Sequence, residues 1–128
     1  MAGITAYFEK ALLDWGLGGA PVKPAAWGIG LSAGVPTSVS ASEIAAATAV
    51  RQAVAFAAAA SPAGSASNSL AATFSFISAA TVSGLQVWDT ASSINGSMLY
   101  YGNLSTPRTM GAGDSLVFAI GSLIITLA

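Results

Sequence analysis

The sequence predicts a mainly β protein, either an antiparallel β-sandwich or a jelly-roll-like barrel, with an α-helix at its N-terminus. Short segments in which apolar and polar residues alternate, the period typical of strands, make up most of the chain. Turn residues separate these segments, and only the first segment has helical spacing. The 128 residues are the size of one domain. We assign a helix over 4–16 and a sandwich over 26–128.

The first segment predicts a helix with one apolar face. Ile4, Phe8, Leu12 and Trp15 follow one another at intervals of three or four residues, which places them on one side of an α-helix. Glycines close behind Trp15 end the helix. We expect this face to pack on the sandwich or on a neighbouring copy, and we interpret Tyr7, Phe8 and Trp15 as core residues.

The period changes to two at the next segment, which predicts a strand. Trp27, Ile29 and Leu31 alternate there with Gly28 and Gly30. Because glycine has no side chain, the glycine face of this strand would allow another backbone to approach closely.

A polar loop over 34–42 and a short helical turn over 43–48 follow this strand. After Arg51, Val54 and Phe56 alternate with small or polar residues, as in another strand.

Two further strands are predicted in the middle of the chain. Leu70, Ala72, Phe74 and Phe76 share one face of the first, and the second covers 82–89.

The strongest turn signal is the pair Asn95-Gly96, because Asn-Gly readily adopts the positive φ angles of a tight hairpin. A strand over 98–101 follows this turn. Pro107 then begins a short extended piece.

The last segment has the most regular alternation, but its parity changes. The apolar residues fall first on even and then on odd positions: Leu116, Phe118, Ile120 and then Leu123, Ile125, Leu127. The change occurs across Gly121. A bulge or bend there would bring both sets to a single buried face.

The composition excludes several functions. The chain has no cysteine and no histidine, which excludes disulfides, thiolate metal sites and histidine-based catalytic relays. Four basic and five acidic residues give a net charge of -1, so no basic patch is available for nucleic acid. No window of about 20 residues is continuously apolar, and the N-terminus lacks a signal-peptide pattern. We therefore expect neither a nucleic-acid nor a membrane partner.

One motif has the form of a catalytic site. Residues 30–34 read Gly-Leu-Ser-Ala-Gly, which matches the nucleophile elbow and follows a predicted strand. Ser32 would need a base, and the chain offers no histidine and no Ser-x-x-Lys spacing. We interpret Ser32 as structural.

The carboxylates of the strand region, Asp89 and Asp114, are the remaining candidates for acid–base chemistry. We expect each to cap a turn or to pair with Arg51 or Arg108. A small hydrolase built on Ser32 or on these aspartates is a remote alternative. We predict no catalytic residue, no cofactor and no metal.

The C-terminal half carries a longer pattern. It reads Leu-Tyr-Tyr-Gly-x-Leu-x-x-Pro-Arg-Thr over 99–109, Gly-Asp-x-Leu-x-Phe over 113–118 and Gly-x-Leu-x-Ile-x-Leu over 121–127. This pattern resembles a family of small structural proteins of tailed bacteriophages, known as tail fibre-like or head decoration proteins. The resemblance extends upstream through the N-terminal helix, Arg51, Asn68 and Phe74. It implies a virion component and carries no catalytic residue.

We therefore expect a virion structural protein without enzymatic activity. We favour a capsid decoration (cement) protein on the head surface that stabilises the head by packing between subunits. Long fibre shafts usually show repeats or heptads, and this chain has neither. A tail or tail-fibre component that contacts the host surface is the alternative.

A chain with 7% charged residues leaves apolar faces to be covered, so we expect a homo-oligomer. The resemblance implies a trimer at local threefold positions of a capsid, in contact with the major capsid protein or other virion proteins. The residues we expect to make packing contacts are Ile4, Phe8, Leu12, Trp15, Tyr100, Tyr101 and Arg108.

Overall fold

A computed structural model describes residues 3–19, 26–34, 44, 51–57, 65–90 and 96–126. These residues form one helix and nine strands, in the order β1 Gly3–Ile4, α1 Ala6–Gly16, β2 Trp27–Ser32, β3 Arg51–Val54, β4 Ser65–Ser67, β5 Ala72–Ser75, β6 Ala80–Trp88, β7 Met98–Met110, β8 Ser115–Phe118 and β9 Ile124–Thr126. The predicted fold class is confirmed, since the chain is mainly β with an N-terminal helix, and its strand pairs are antiparallel.

The largest sheet has five strands in the order β1-β7-β6-β2-β3, and two smaller sheets pair β4 with β9 and β5 with β8. The core lies between the large sheet and the β5–β8 ribbon. Ile29 and Leu31 of β2 pack there against Phe74, whose ring meets that of Phe118 edge-on at 6.3 Å. Apolar side chains from both layers thus fill one interior, as in a sandwich.

The glycines of β2 lie beside a stacked pair of side chains from the two neighbouring strands. Gly30 lies opposite Arg51 on one side of β2, and Gly28 lies opposite Trp88 on the other side. The Arg51 guanidinium stacks on the Trp88 ring, 3.6 Å from its centre. Side chains of β3 and β6 therefore meet across β2, where its glycines have no side chain to obstruct them.

The alternation over 70–76 is confirmed for three of its four apolar residues. Ala72, Phe74 and Phe76 are buried. Leu70 is exposed, because it lies in a bend before β5 begins and so does not share the face of that strand.

The predicted strand over 98–101 is part of a much longer one, since β7 continues through Pro107 to Met110. Gly84 pairs with Asn103 and Val82 with Arg108, so residues 104–107 oppose the single residue Ser83. This large bulge accommodates Pro107, which has no N–H to donate to the ladder.

The positive φ predicted for Gly96 is confirmed, but residues 90–96 separate the last hydrogen-bonded pair between β6 and β7, so the connection is longer than a tight hairpin. Gly96 has a φ of +99°, and the Asp89 N–H donates to the Ser97 carbonyl across the turn. Asn95 lies outside the described residues. So do the predicted loop and helical turn, apart from Gly34 and Ile44.

The bend at Gly121 is confirmed. Its φ is +82°, in a turn that separates β8 from β9. The expectation that both apolar sets share one face holds in part: Leu116 and Phe118 of the first set and Leu123 of the second pack against the same core, whereas Ile120 in the turn is exposed. Leu127 lies outside the described residues.

Candidate functional site

The start of α1 is fixed to the large sheet by one buried threonine. Thr5 caps the helix, with its Oγ1 accepting the N–H of Phe8. The same hydroxyl donates to the Met98 carbonyl, and the Thr5 N–H donates to the Leu99 carbonyl. The helix therefore begins after Thr5, and Ile4, predicted as its first residue, belongs to β1.

Beyond this anchor, α1 buries little of its surface. The Phe8 ring contacts Tyr100 of β7 edge-on, at 5.1 Å between centroids, and Leu12 is half-buried. No residue of the helix is fully buried. The interpretation of Tyr7 and Trp15 as core residues is wrong, since Tyr7 is exposed and the Trp15 side chain is 73% exposed.

Trp15 does not share the environment of Phe8. The two residues are two turns apart on the same helix face, separated by roughly 10 Å along the axis. Phe8 contacts Tyr100 of β7, whereas the Trp15 side chain is largely exposed. The end of α1 thus exposes three large apolar side chains, Leu13, Trp15 and Leu17, which we call the helix tip.

Two of the three charged residues of α1, Lys10 and Asp14, neutralise each other, and the third, Glu9, lies exposed in the first turn. Lys10 Nζ donates to Asp14 Oδ2 at 2.5 Å, one turn further along the helix. This hydrogen bond to Asp14 raises the pKa of Lys10 above its ordinary value. The helix tip therefore stands next to a closed ion pair, with no net charge from that pair to repel an apolar partner.

A second apolar surface lies on the large sheet. A groove of about 730 Å³ separates β6 and β7 from the segment that joins β8 to β9. We call it the β7 groove. The apolar residues that line it include Leu85, Val87, Tyr100, Leu104, Phe118 and Leu123.

The polarity of the β7 groove is low. None of its described lining residues is charged, and its polar side chains are those of Tyr100, Tyr101, Asn103, Ser105 and Ser122. Burial raises the pKa of Tyr100 above its ordinary value, so its phenol stays neutral there. The groove can bind apolar groups, and its described lining has no charged side chain to bind an ion.

Tyr100 and Tyr101 face opposite sides of the sheet, as successive residues of a strand do. Tyr100 lies in register with Val87 and Ile4, whereas Tyr101 lies in register with Gln86 and Gly3. Both tyrosines are half-buried.

The structure thus brings Ile4, Phe8 and Tyr100 together at the β1–β7 edge. Leu12 lies on the next turn of the helix. Arg108 is exposed and lies eight residues further along β7, beyond the bulge, so it does not join this group.

One residue that fixes the rim of the β7 groove was missed as a site residue. Asn68 is buried, and its Nδ2 donates to the carbonyls of Leu70 and Ala119 at 2.8 and 3.1 Å. Its Oδ1 accepts the N–H of Leu123 at 3.0 Å. Asn68 therefore holds the turn between β8 and β9 against β4. Its signals in the sequence were a lone amide before an apolar strand and its place in the family resemblance.

The carboxylates cap turns, as expected. Asp89 Oδ1 accepts the N–H of Ser97 at 2.7 Å, and Asp114 Oδ2 accepts the N–H of Gly111 at 2.7 Å. The Arg51 guanidinium, besides stacking on Trp88, donates to the Thr90 hydroxyl at 2.9 Å.

Ser32 is buried at the end of β2, and its hydroxyl donates to the Gly34 carbonyl. This bond gives it a local structural role. The described parts of the chain contain no group of three acidic residues placed to hold a metal ion. Within the same parts, no helix has the length and apolar character needed to cross a bilayer.

Comparison with known protein families gives a match over nearly the whole chain. The model of the family described as "Podophage GP4 fiber I protein gp80" matches residues 3–126. The match extends from β1 to β9 and includes both the helix tip and the β7 groove. No curated protein matches the chain.

Proposed function

Because the chain belongs to the family of the podophage GP4 fiber I protein gp80 and is thus a phage structural protein, we propose that it is a fibre component of the phage tail. In this role it packs against copies of itself and against other virion proteins. The resemblance seen in the C-terminal half, to tail fibre-like and head decoration proteins, agrees with the family match. The word "fiber" in the family description supports the tail over the head.

The observation that carries the assembly role is the apolar surface that the chain leaves uncovered. The helix tip and the β7 groove are both apolar, and neither is covered by described residues. Large exposed apolar patches on a protein mark sites of interaction. With only nine charged residues in the chain, few charges are available to keep such surfaces apart in solution.

Capsid decoration is the second candidate, and the sequence itself favours it. The chain lacks the repeats or heptads that long fibre shafts show, and the described residues form strands around one core. Such a compact unit fits a capsid surface as well as the base or end of a fibre. The two candidates differ in where the chain is found on the particle.

We also propose that the chain acts by binding alone. Its elbow-like serine is hydrogen bonded to backbone inside the protein, and its strand-region aspartates cap turns. None of these side chains lines the β7 groove.

The test is to locate the chain on the particle. Antibodies raised against the purified chain and coupled to gold would be imaged on intact phage by electron microscopy. We expect gold at the tail. Gold distributed over the head would establish decoration instead, and absence of the chain from the protein content of purified particles would contradict both candidates.

A matched pair of variants tests whether the helix tip is needed. Trp15→Glu adds a charge to the tip, and Thr109→Glu adds the same charge at an exposed position of β7 outside the groove. We expect particles to lose the Trp15→Glu chain and to retain the Thr109→Glu chain. Equal incorporation of both would contradict a role for the helix tip.

A further inference from the structure

The helix tip and the β7 groove have matching chemistry. The tip exposes three apolar side chains, Leu13, Trp15 and Leu17, at the end of α1. The groove is a concave apolar surface on the same chain, and none of the three tip residues lines it. Each copy thus carries one projection and one recess that its own described residues leave unmatched.

We propose that the helix tip of one copy inserts into the β7 groove of the next copy, so that the chain assembles head to tail. This inference rests on the proposed function, because it specifies how copies pack against one another. The occupant of the groove is a second copy of this chain.

Electrostatics supports a second copy as the occupant. The described lining of the groove has no charged side chain, and a charged partner would lose hydration there without finding a counter-charge. The tip meets this condition, because the neighbouring Lys10 and Asp14 are paired with each other.

Size and residue type support the same occupant. A recess of about 730 Å³ is in the range that holds bulky organic groups. Tryptophan is enriched among the residues that dominate binding energy at interfaces, and such residues lie in well-packed, desolvated pockets. Trp15 is 73% exposed in the isolated chain, so almost its whole ring is available for this contact.

The geometry of such a contact determines the kind of assembly. A projection that enters a different surface on its neighbour makes a heterologous interface, which closes into a ring when the rotation between copies allows. The trimer implied by the sequence resemblance is one such ring. A contact of tip with tip, in contrast, would stop at a dimer.

Cysteine cross-linking distinguishes these arrangements, and the chain is suited to it because it has no cysteine of its own. One preparation carries Gly16→Cys, which is exposed beside Trp15 and leaves the three side chains of the tip in place. A second preparation, lengthened by a tag, carries Val117→Cys on the exposed part of the groove lining. The two are mixed and oxidised, and the products are separated by mass under denaturing conditions. The same pair is also incorporated into phage particles and oxidised there.

We expect a shift of both chains from monomer to a mixed, disulfide-linked dimer. Thr109→Cys, at an exposed position of β7 outside the groove, replaces Val117→Cys as the control and should give no mixed dimer. A dimer of Gly16→Cys chains alone would overturn the proposal in favour of a tip–tip contact. A dimer of Val117→Cys chains alone would overturn it in favour of a groove–groove contact.

Failure of this inference and failure of the proposed function give different results. If particles contain the chain but yield no mixed dimer in solution or on the particle, the tip-in-groove contact is wrong and the virion role stands. If particles contain no copy of the chain, the proposed function itself is wrong.

Discussion

The strand β2 and the helix α1 differ in how completely the rest of the chain covers them. Strand β2 pairs with β3 on one side and β6 on the other, and five of its six residues are buried. Helix α1 packs on β7 through Phe8 and has no buried residue. The centre of the molecule therefore depends on its own contacts, whereas its periphery presents apolar side chains that another surface would cover.

The largest expected effect on stability comes from replacing a leucine by alanine in β2, and the same replacement in α1 should have little effect. Leu31→Ala in β2 removes a side chain that is 1% exposed and should lower the free energy of unfolding by about 2–5 kcal/mol. Leu13→Ala in α1 removes one that is 62% exposed and should change it by less than about 0.5 kcal/mol. Urea denaturation of the purified chain measures both. Similar losses for the two variants would show that α1 is covered in solution.

The next effect concerns the turn between β8 and β9. Asn68→Ala removes three side-chain hydrogen bonds in a buried place and leaves their backbone partners unsatisfied. We expect a loss of about 2–3 kcal/mol in the free energy of unfolding. Asn103→Ala, at an exposed position of β7, is the matched control and should have little effect. A small loss in the free energy of unfolding for Asn68→Ala would mean that water replaces its hydrogen bonds. The turn between β8 and β9 would then belong to the loosely held periphery.

A smaller effect is expected for backbone strain at Gly121. A Cβ at Gly121 would meet no atom within 4 Å, so Gly121→Ala tests the φ of +82° alone and should cost about 1–2 kcal/mol. Gly16→Ala is the control, since this glycine is the last residue of α1 and also has open space around it. It should leave stability unchanged or raise it by up to about 1 kcal/mol. Equal thermal midpoints for the two variants would contradict the requirement for glycine at 121.

The smallest effect is a pH dependence in the β7 groove. Burial raises the pKa of Tyr100 in the folded chain, so the folded state holds this proton more tightly than the unfolded state does. Stability should therefore be unaffected below the ordinary tyrosine pKa of about 10 and should fall as the pH rises from there toward the folded pKa. Tyr100→Phe should remove this part of the fall in urea denaturation above pH 10. An unchanged pH profile in Tyr100→Phe would show that Tyr100 makes no such contribution.

Periodicity predicted the centre of the fold better than its periphery. The alternation around Ile29 and Phe74 identified strands that are buried, and the parity change identified the bend at Gly121. The pattern around Trp15 correctly grouped a helix face, but a periodic pattern shows only which side chains share a face. Whether another element covers that face depends on where the helix ends relative to the sheet, and the sequence of α1 does not contain this information.

Two other features depended on residues distant in the sequence. Pro107 was predicted to begin a separate extended piece, whereas β7 continues through it. The bulge that accommodates Pro107 is visible only in the register with β6. Asn68 has the type and setting of a loop residue. Its partners are backbone groups up to 55 residues away, which no local pattern specifies.

The bulge opposite Ser83 changes which face of the sheet the side chains of β6 point to. Val82 and Leu85 both contact the core, although an odd spacing along a regular strand would turn them to opposite faces. The register shift between them reverses the alternation of side chains, so both reach the same face. A one-residue deletion between Leu85 and Val87 would send every following side chain of β6 to the wrong face. Residues 104–107 are not paired with β6, so the insertion or deletion of one residue there would displace no paired residue.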